Sequence, residues 1–225
     1  MYSSTRMTIR LLLTWASAFF LSYFLYKSNN IYLYLVFSPI AATLPNALVV
    51  ALHEFAHFSV YKNKNLQTFV ANVFVGWPVL LSYQDYRVFH LKHHFDKTND
   101  VEKWYYIDKT WTFPKEKKTF IAFFIKIYFD YATKKHYDKL VKLFALGRHT
   151  KHSLGYKASI YIYFAFVVAS CWYFNILILL VYWLFNMIVW VSLYNRIRSL
   201  GQHYALISVD KSEVQNIYPT FIEKF

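Results

Sequence analysis

Three histidines fall within five residues in His90-Leu91-Lys92-His93-His94, and two more stand upstream in His53-Glu54-Phe55-Ala56-His57. Neutral imidazole is the commonest metal-binding side chain and suits iron, zinc or copper. On a helix, His90, His93 and His94 are spaced i, i+3, i+4 and project to one side, as do His53 and His57 at i, i+4. A solvated basic helix is the plain alternative for the first cluster, and a pair of headgroup-facing histidines for the second. Five histidines at ligand spacing beside strongly apolar runs favour metal chemistry at a membrane face.

The elements that must carry these clusters are legible in the hydropathy. The chain is 57% hydrophobic and 22% aromatic, above the range of ordinary soluble domains. Residues 9–26 are apolar apart from Arg10, and roughly 18 residues just span a hydrocarbon core of about 30 Å. Ala16-Ser17-Ala18 sit mid-run, leaving too short an apolar core before them for signal cleavage, so an uncleaved first span is expected. After the polar turn Lys27-Ser28-Asn29-Asn30, a second span covers 31–52. Pro39 and Pro45 lie inside it and predict a kink. It delivers His53 and His57 to its membrane exit. Residues 66–82 are apolar but broken by Gly76-Trp77-Pro78, which predicts a re-entrant or interfacial segment. Residues 53–157 as a whole form the interfacial region, with an amphipathic surface helix over Thr119–Tyr131. Residues 158–195 carry no charge and are too long for one helix, so two spans are expected, 158–174 and 176–195. A polar tail follows over 196–225.

The charge pattern fixes an orientation. With four spans, every lysine and arginine except Lys27 lies on one side or in its membrane margin, and the positive-inside rule makes that side cytoplasmic. The N-terminus, the C-terminal tail, both histidine clusters and His203 share this face, although the spans are drawn from hydropathy alone. A net charge of +13 superficially suits nucleic acid, but the basic residues are scattered between apolar segments, so nucleic acid is excluded as a partner. Cys171, the only cysteine, excludes a disulfide framework and a thiolate metal cluster. The expected fold is an all-α membrane protein, a single domain over 1–225 with four transmembrane helices and a cytoplasmic helical cap that carries the histidines.

His53-Glu54-Phe55-Ala56-His57 literally matches the HExxH signature of zinc proteases, where the glutamate is the general base. A membrane-embedded zinc protease needs a third ligand, and no clear downstream motif supplies it. An HxxxH box at the end of the second span, followed by an HxxHH box after a short apolar segment, instead resembles the membrane fatty acid desaturase and hydroxylase superfamily. Tyr86-Arg87 ahead of the second box, and Thr98-Asn99-Asp100 with Glu102 after it, add to the resemblance. So does Asn195-Arg196-Ile197-Arg198-Ser199-Leu200 followed by His203-Tyr204. It covers about residues 10–215.

That resemblance implies a non-haem di-iron centre, two iron ions held by histidines on the cytoplasmic face. Such a centre activates O2 and removes hydrogen from an unactivated C–H bond of a lipid acyl chain. Carried over position by position, the iron ligands are His53, His57, His90, His93, His94 and His203. Asp85, Asp96, Asp100 and Glu102 are candidates to orient those imidazoles, with solvated loop carboxylates as the alternative. No flavin or haem motif occurs, so electrons come from an external donor, and the basic surface suits an acidic ferredoxin or a cytochrome b5-like protein. Lipid hydroxylases and carotenoid ketolases share the boxes, which do not separate hydroxylation from desaturation.

One feature departs from the family. Its members carry a third box, HxxHH, in the C-terminal region, and here no histidine follows His203. His136, His149 and His152 are left over; His149 and His152 are spaced i, i+3 but precede the third span in a lysine-rich stretch, and ligation there is not expected. The expectation is a C-terminally truncated chain. A divergent enzyme with other ligands and a catalytically inactive lipid-binding homologue are the alternatives.

Overall fold

The computed structural model describes residues 4–57, 60–95, 122, 152–191 and 193–195, with 92–95 given by backbone alone. By contact the chain divides into two units, residues 1–92 with 140–192 and residues 93–139 with 193–225. Except for residues 93–95 and 193–195, the elements below belong to the first. They are helical throughout, with no strand among the described residues.

The elements run α1 (Ser4–Ser28), α2 (Ile31–Ala56) and α3 (Lys64–Val70), then a π-helical segment (Ala71–Gly76) and a 3-10 turn (Trp77–Val79). They continue with α4 (Tyr83–Phe95), α5 (Leu154–Tyr173) and α6 (Leu177–Asn186), the last prolonged by a π-helical turn (Met187–Val191). Four helices are long and apolar enough to cross a membrane: Ser4–Ser28, Ile31–Ala56, Leu154–Tyr173 and Leu177–Asn195. The chain is thus an all-α protein with four membrane-compatible helices. The helices outrun the apolar stretches, because the backbone ladder does not depend on apolar side chains. α2 in particular runs on through His53, Glu54 and Phe55.

Asparagine makes both short reversals. Asn29 (φ 47°) and Asn175 (φ 55°) adopt the left-handed conformation that asparagine tolerates better than most residues. Asn30 then caps α2, its side chain accepting from the Tyr32 N–H at 2.9 Å.

α2 is the central helix, packed against α1, α6 and the re-entrant segment. Its buried positions include Tyr34, Ser38, Ala41, Ala42, Pro45, Leu48, Leu52 and Phe55, a stripe at helical period in which small residues let neighbouring backbones approach. At its middle, the Ser38 hydroxyl donates to Asn186 Oδ1 on α6 (2.6 Å) and accepts from Trp190 Nε1 (2.8 Å). α5 lies at the rim with no buried residue, as a lipid-facing helix does.

Between α2 and α4 the chain enters as α3 and leaves through a 90° bend, the interruption expected at Gly76-Trp77-Pro78. Irregular backbone shielded from water must find its hydrogen-bond partners inside the protein. Trp15 of α1 donates its indole N–H to the Phe74 carbonyl (3.0 Å), and Trp183 of α6 donates to the Pro78 carbonyl (2.8 Å). The two indoles stack on each other at 5.9 Å. The Leu81 N–H closes the turn on the Gly76 carbonyl at 2.9 Å, with Leu80 held left-handed at φ 60°.

Candidate metal centre

α2 and α4 bring His53, His57 and His90 together. His53 lies in the last turn of α2, and His57 is its C-cap residue, one turn on along the same side. His90 projects from α4 and is 3% exposed. The three rings form a triangle, with centroids 5.1 Å apart for His53–His57, 4.3 Å for His53–His90 and 5.0 Å for His57–His90. Their ligand atoms all lie within 4.8 Å of one another. Tyr86, one turn before His90 on α4, stacks flat on its ring at 5.5 Å with planes 6° apart, which fixes the ring's tilt.

This donor set fits a metal ion. His57 Nε2 and His90 Nε2 are 3.0 Å apart. Two imidazole nitrogens bound side by side at about 2.1 Å and near a right angle also stand about 3 Å apart. The same separation fits an N–H···N hydrogen bond, so the metal-free pair is held in nearly the geometry that a shared cation needs. The C-terminus of α2, where carbonyl dipoles leave partial negative charge, points to the same place and favours a cation. Desolvation of the His57 ring within the cluster, with His53 and then Arg87 adding to it and Glu54 opposing, holds its pKa below the ordinary histidine value. That keeps a nitrogen lone pair available at neutral pH. Glu54 Oε1 stands 3.7 Å from His53 Nδ1, too far for a hydrogen bond and near enough for electrostatic orientation of the ring.

Of the expected site residues, then, His53, His57 and His90 are brought together. α4 is helical to Phe95, so His93 and His94 follow His90 at i+3 and i+4 on one helix; their side chains are outside the described residues. His203, Asp96, Asp100 and Glu102 are also outside the described residues, as is the expected surface helix over Thr119–Tyr131 apart from Ala122.

Asp85 is described, and it is not a solvated loop carboxylate. It sits in the first turn of α4, 5% exposed, with its Oδ2 2.7 Å from His152 Nε2. His152, which the sequence left without a role, is largely buried just ahead of α5 and stacks on Tyr156 at 4.4 Å. The Tyr156 hydroxyl lies within bonding distance of Ser82 Oγ (3.0 Å), Gln84 Oε1 (2.8 Å) and Asn72 Oδ1 (3.1 Å). Asn72 Oδ1 also accepts the Tyr83 N–H at 3.1 Å, capping α4. This polar cluster joins the third span to the helix that bears His90. No local pattern marks His152 for that role, since its partner is 67 residues away.

A family model described as fatty acid desaturase matches residues 29–221, most of the chain and both histidine boxes. Neither the curated proteins nor the solved structures include a match.

Proposed function

We propose, from the premise that this chain belongs to the fatty acid desaturase family, that it carries out O2-dependent desaturation of a lipid acyl chain at a histidine-held di-iron centre. The observation that carries this reading is the convergence of His53, His57 and His90 from two separate helices, with ligand atoms within 4.8 Å of one another. These three would hold iron together with His93, His94 and His203, and Asp96, Asp100 and Glu102 would orient the rings. The bound iron would supply O2 activation strong enough to break an unactivated C–H bond. In balance, a –CH2–CH2– unit, O2, two electrons and two protons give –CH=CH– and two waters.

The protein's own residues contribute placement and neutral donors. α2 and α4 set the ring separations, Tyr86 fixes the tilt of His90, and desolvation lowers the His57 pKa, which favours the neutral, metal-binding ring. The electrons come from an external ferredoxin or cytochrome b5-like donor, for which the basic flanks, held to be cytoplasmic by the positive-inside rule, provide a docking surface. The zinc-protease reading of the HExxH match gains nothing from the family match.

The test is metal content of the purified full chain, with and without His57→Ala, followed by product analysis with O2, acyl lipid and a reconstituted donor. Iron near two per chain that falls in His57→Ala, together with an unsaturated product, supports the reading. Less than one iron per chain and no product would refute the catalytic part and leave a lipid-binding homologue. Hydroxylated product would move the chain to that branch of the superfamily.

A further inference from the structure

Phe55 lies between the two histidines of α2, and its carbonyl is among the last four of the helix, outside the i to i+4 ladder. Three donors reach it. One is the backbone N–H of His57 itself. The others are two side chains from elsewhere, Gln67 Nε2 at 3.1 Å and the Tyr83 hydroxyl at 3.0 Å. Gln67 Nε2 also donates to the Tyr83 oxygen (3.2 Å), while Gln67 Oε1 accepts the Tyr61 N–H (3.0 Å). A single amide therefore ties the end of α2, the turn after it and the first residue of α4. Gln67 is 0% and Tyr83 2% exposed, so these bonds form away from competing water.

Tyr83 precedes His90 by seven residues, almost two full helical turns, and both project from the same face of α4. That face is pinned to α2 at both ends, by Tyr83 on the Phe55 carbonyl and by His90 against His57. A rotation of α4 by about 10° moves an atom about 6 Å from the axis by about 1 Å. A site built to tolerances of about 0.5 Å does not survive such a change.

We propose that Gln67 and Tyr83 are positioning residues for the histidine cluster. They fix the rotation of α4 against the C-terminus of α2, so that His90 meets His53 and His57 at ligand spacing. The proposal rests on the metal-site reading above and assigns the alignment of the two boxes to residues outside both.

The test uses the full chain in detergent micelles with Co(II), whose visible absorption reports coordination. Wild type is compared with Tyr83→Phe, Gln67→Met, His57→Ala and Ser38→Ala. Ser38→Ala removes buried bonds from the far part of α2 and serves as a control for stability alone. Tyr83→Phe is expected to weaken Co(II) binding about ten-fold and to shift the absorption bands. Ser38→Ala, with a comparable loss of thermal midpoint, should stay within two-fold of wild type with unchanged bands. Gln67→Met carries the same test if Tyr83→Phe yields no folded protein. Co(II) binding lost in His57→Ala but unchanged in Tyr83→Phe and Gln67→Met overturns the brace alone, as does an equal loss in Ser38→Ala. A Co(II) signal indifferent to His57→Ala overturns the metal site, and the brace with it.

Discussion

Replacing Gly76 with alanine tests whether the re-entrant turn is as tight as its bonding implies, and Gly155 provides an internal standard. A Cβ on Gly76 would stand 2.6 Å from the Leu81 carbonyl oxygen and 3.1 Å from that of Ala71, both backbone atoms. Reaching even 3.0 Å from Leu81 requires a shift of at least 0.4 Å, and no flexible side chain can absorb it. The chain gives where the turn closes, at the Leu81 N–H to Gly76 carbonyl bond. Overpacking of this kind costs about 1–3 kcal/mol, and a strained or lost backbone bond adds about 1 kcal/mol. The smaller entropy of an alanine-bearing unfolded chain returns about 0.4–1 kcal/mol. The net expected loss is about 1–3.5 kcal/mol, centred a little above 2. Gly155, in the first turn of α5, has nothing within 4 Å of its notional Cβ, so Gly155→Ala should be neutral or stabilising by up to about 1 kcal/mol. For a chain of this size, a difference of about 3 kcal/mol separates the two thermal midpoints by roughly 6–12 °C. Thermal denaturation of both variants in detergent, followed by circular dichroism and by retention of the monodisperse peak, measures it. Equal midpoints would refute the claim that this turn excludes a side chain. Because the turn leads directly into Tyr83, Gly76→Ala should also lower metal loading, and Gly155→Ala should not.

Further outcomes follow from the same contacts. Asp85→Ala and His152→Ala should each destabilise by about 3 kcal/mol, as expected when one partner of a buried pair is left behind. Their double-mutant cycle should show coupling above about 1 kcal/mol, and additive losses would contradict the pairing. Trp183→Phe keeps a ring against Trp15 but removes the donor to the Pro78 carbonyl, costing about 1–2 kcal/mol in the same thermal assay. Protons compete with metal for the imidazoles, so Co(II) affinity should fall as pH drops through and below the histidine range. Without metal, the depressed His57 pKa means that the unfolded chain takes up its proton first. His57 therefore makes the fold slightly less stable as pH falls through its ordinary range, a small effect for so exposed a ring. Thermal midpoints between pH 5 and 8, compared with His57→Ala, measure it.

The four spans were legible because hydropathy and the length needed to cross a bilayer are local properties. The break itself was legible because Gly76-Trp77-Pro78 cannot continue an ordinary helix, and the 90° bend follows it. The meeting of His53, His57 and His90 was implied by helical spacing and by the family resemblance together. The ends of α1 and α2 were harder to read, since Ser4 to Thr8 and His53 to Ala56 extend the helices on backbone bonds that hydropathy does not report. His152 was left without a role because its neighbours are basic and no ligand pattern includes it, and its place depends on the approach of Asp85 from another helix. Gln67 gave no signal at all: a lone glutamine becomes significant only when the Phe55 carbonyl at the end of α2 is folded over it. Tyr83 left a trace, its seven-residue offset from His90, which shows the shared face but not its partner.

The indoles of Trp15 and Trp183 have a consequence for biosynthesis. Trp183 lies 105 residues after the carbonyl it satisfies, whereas Trp15 is made 59 residues before its own. At about 5–20 residues per second, the Pro78 carbonyl waits roughly 5–20 s for its donor while the ribosome completes the later spans. During that interval the turn has only one of its two indole donors, Trp15, while Gln67 and Tyr83, already made, can hold α4 to the end of α2. The order of synthesis therefore lets the brace between α2 and α4 form first, with α6 arriving afterwards to complete the turn between them.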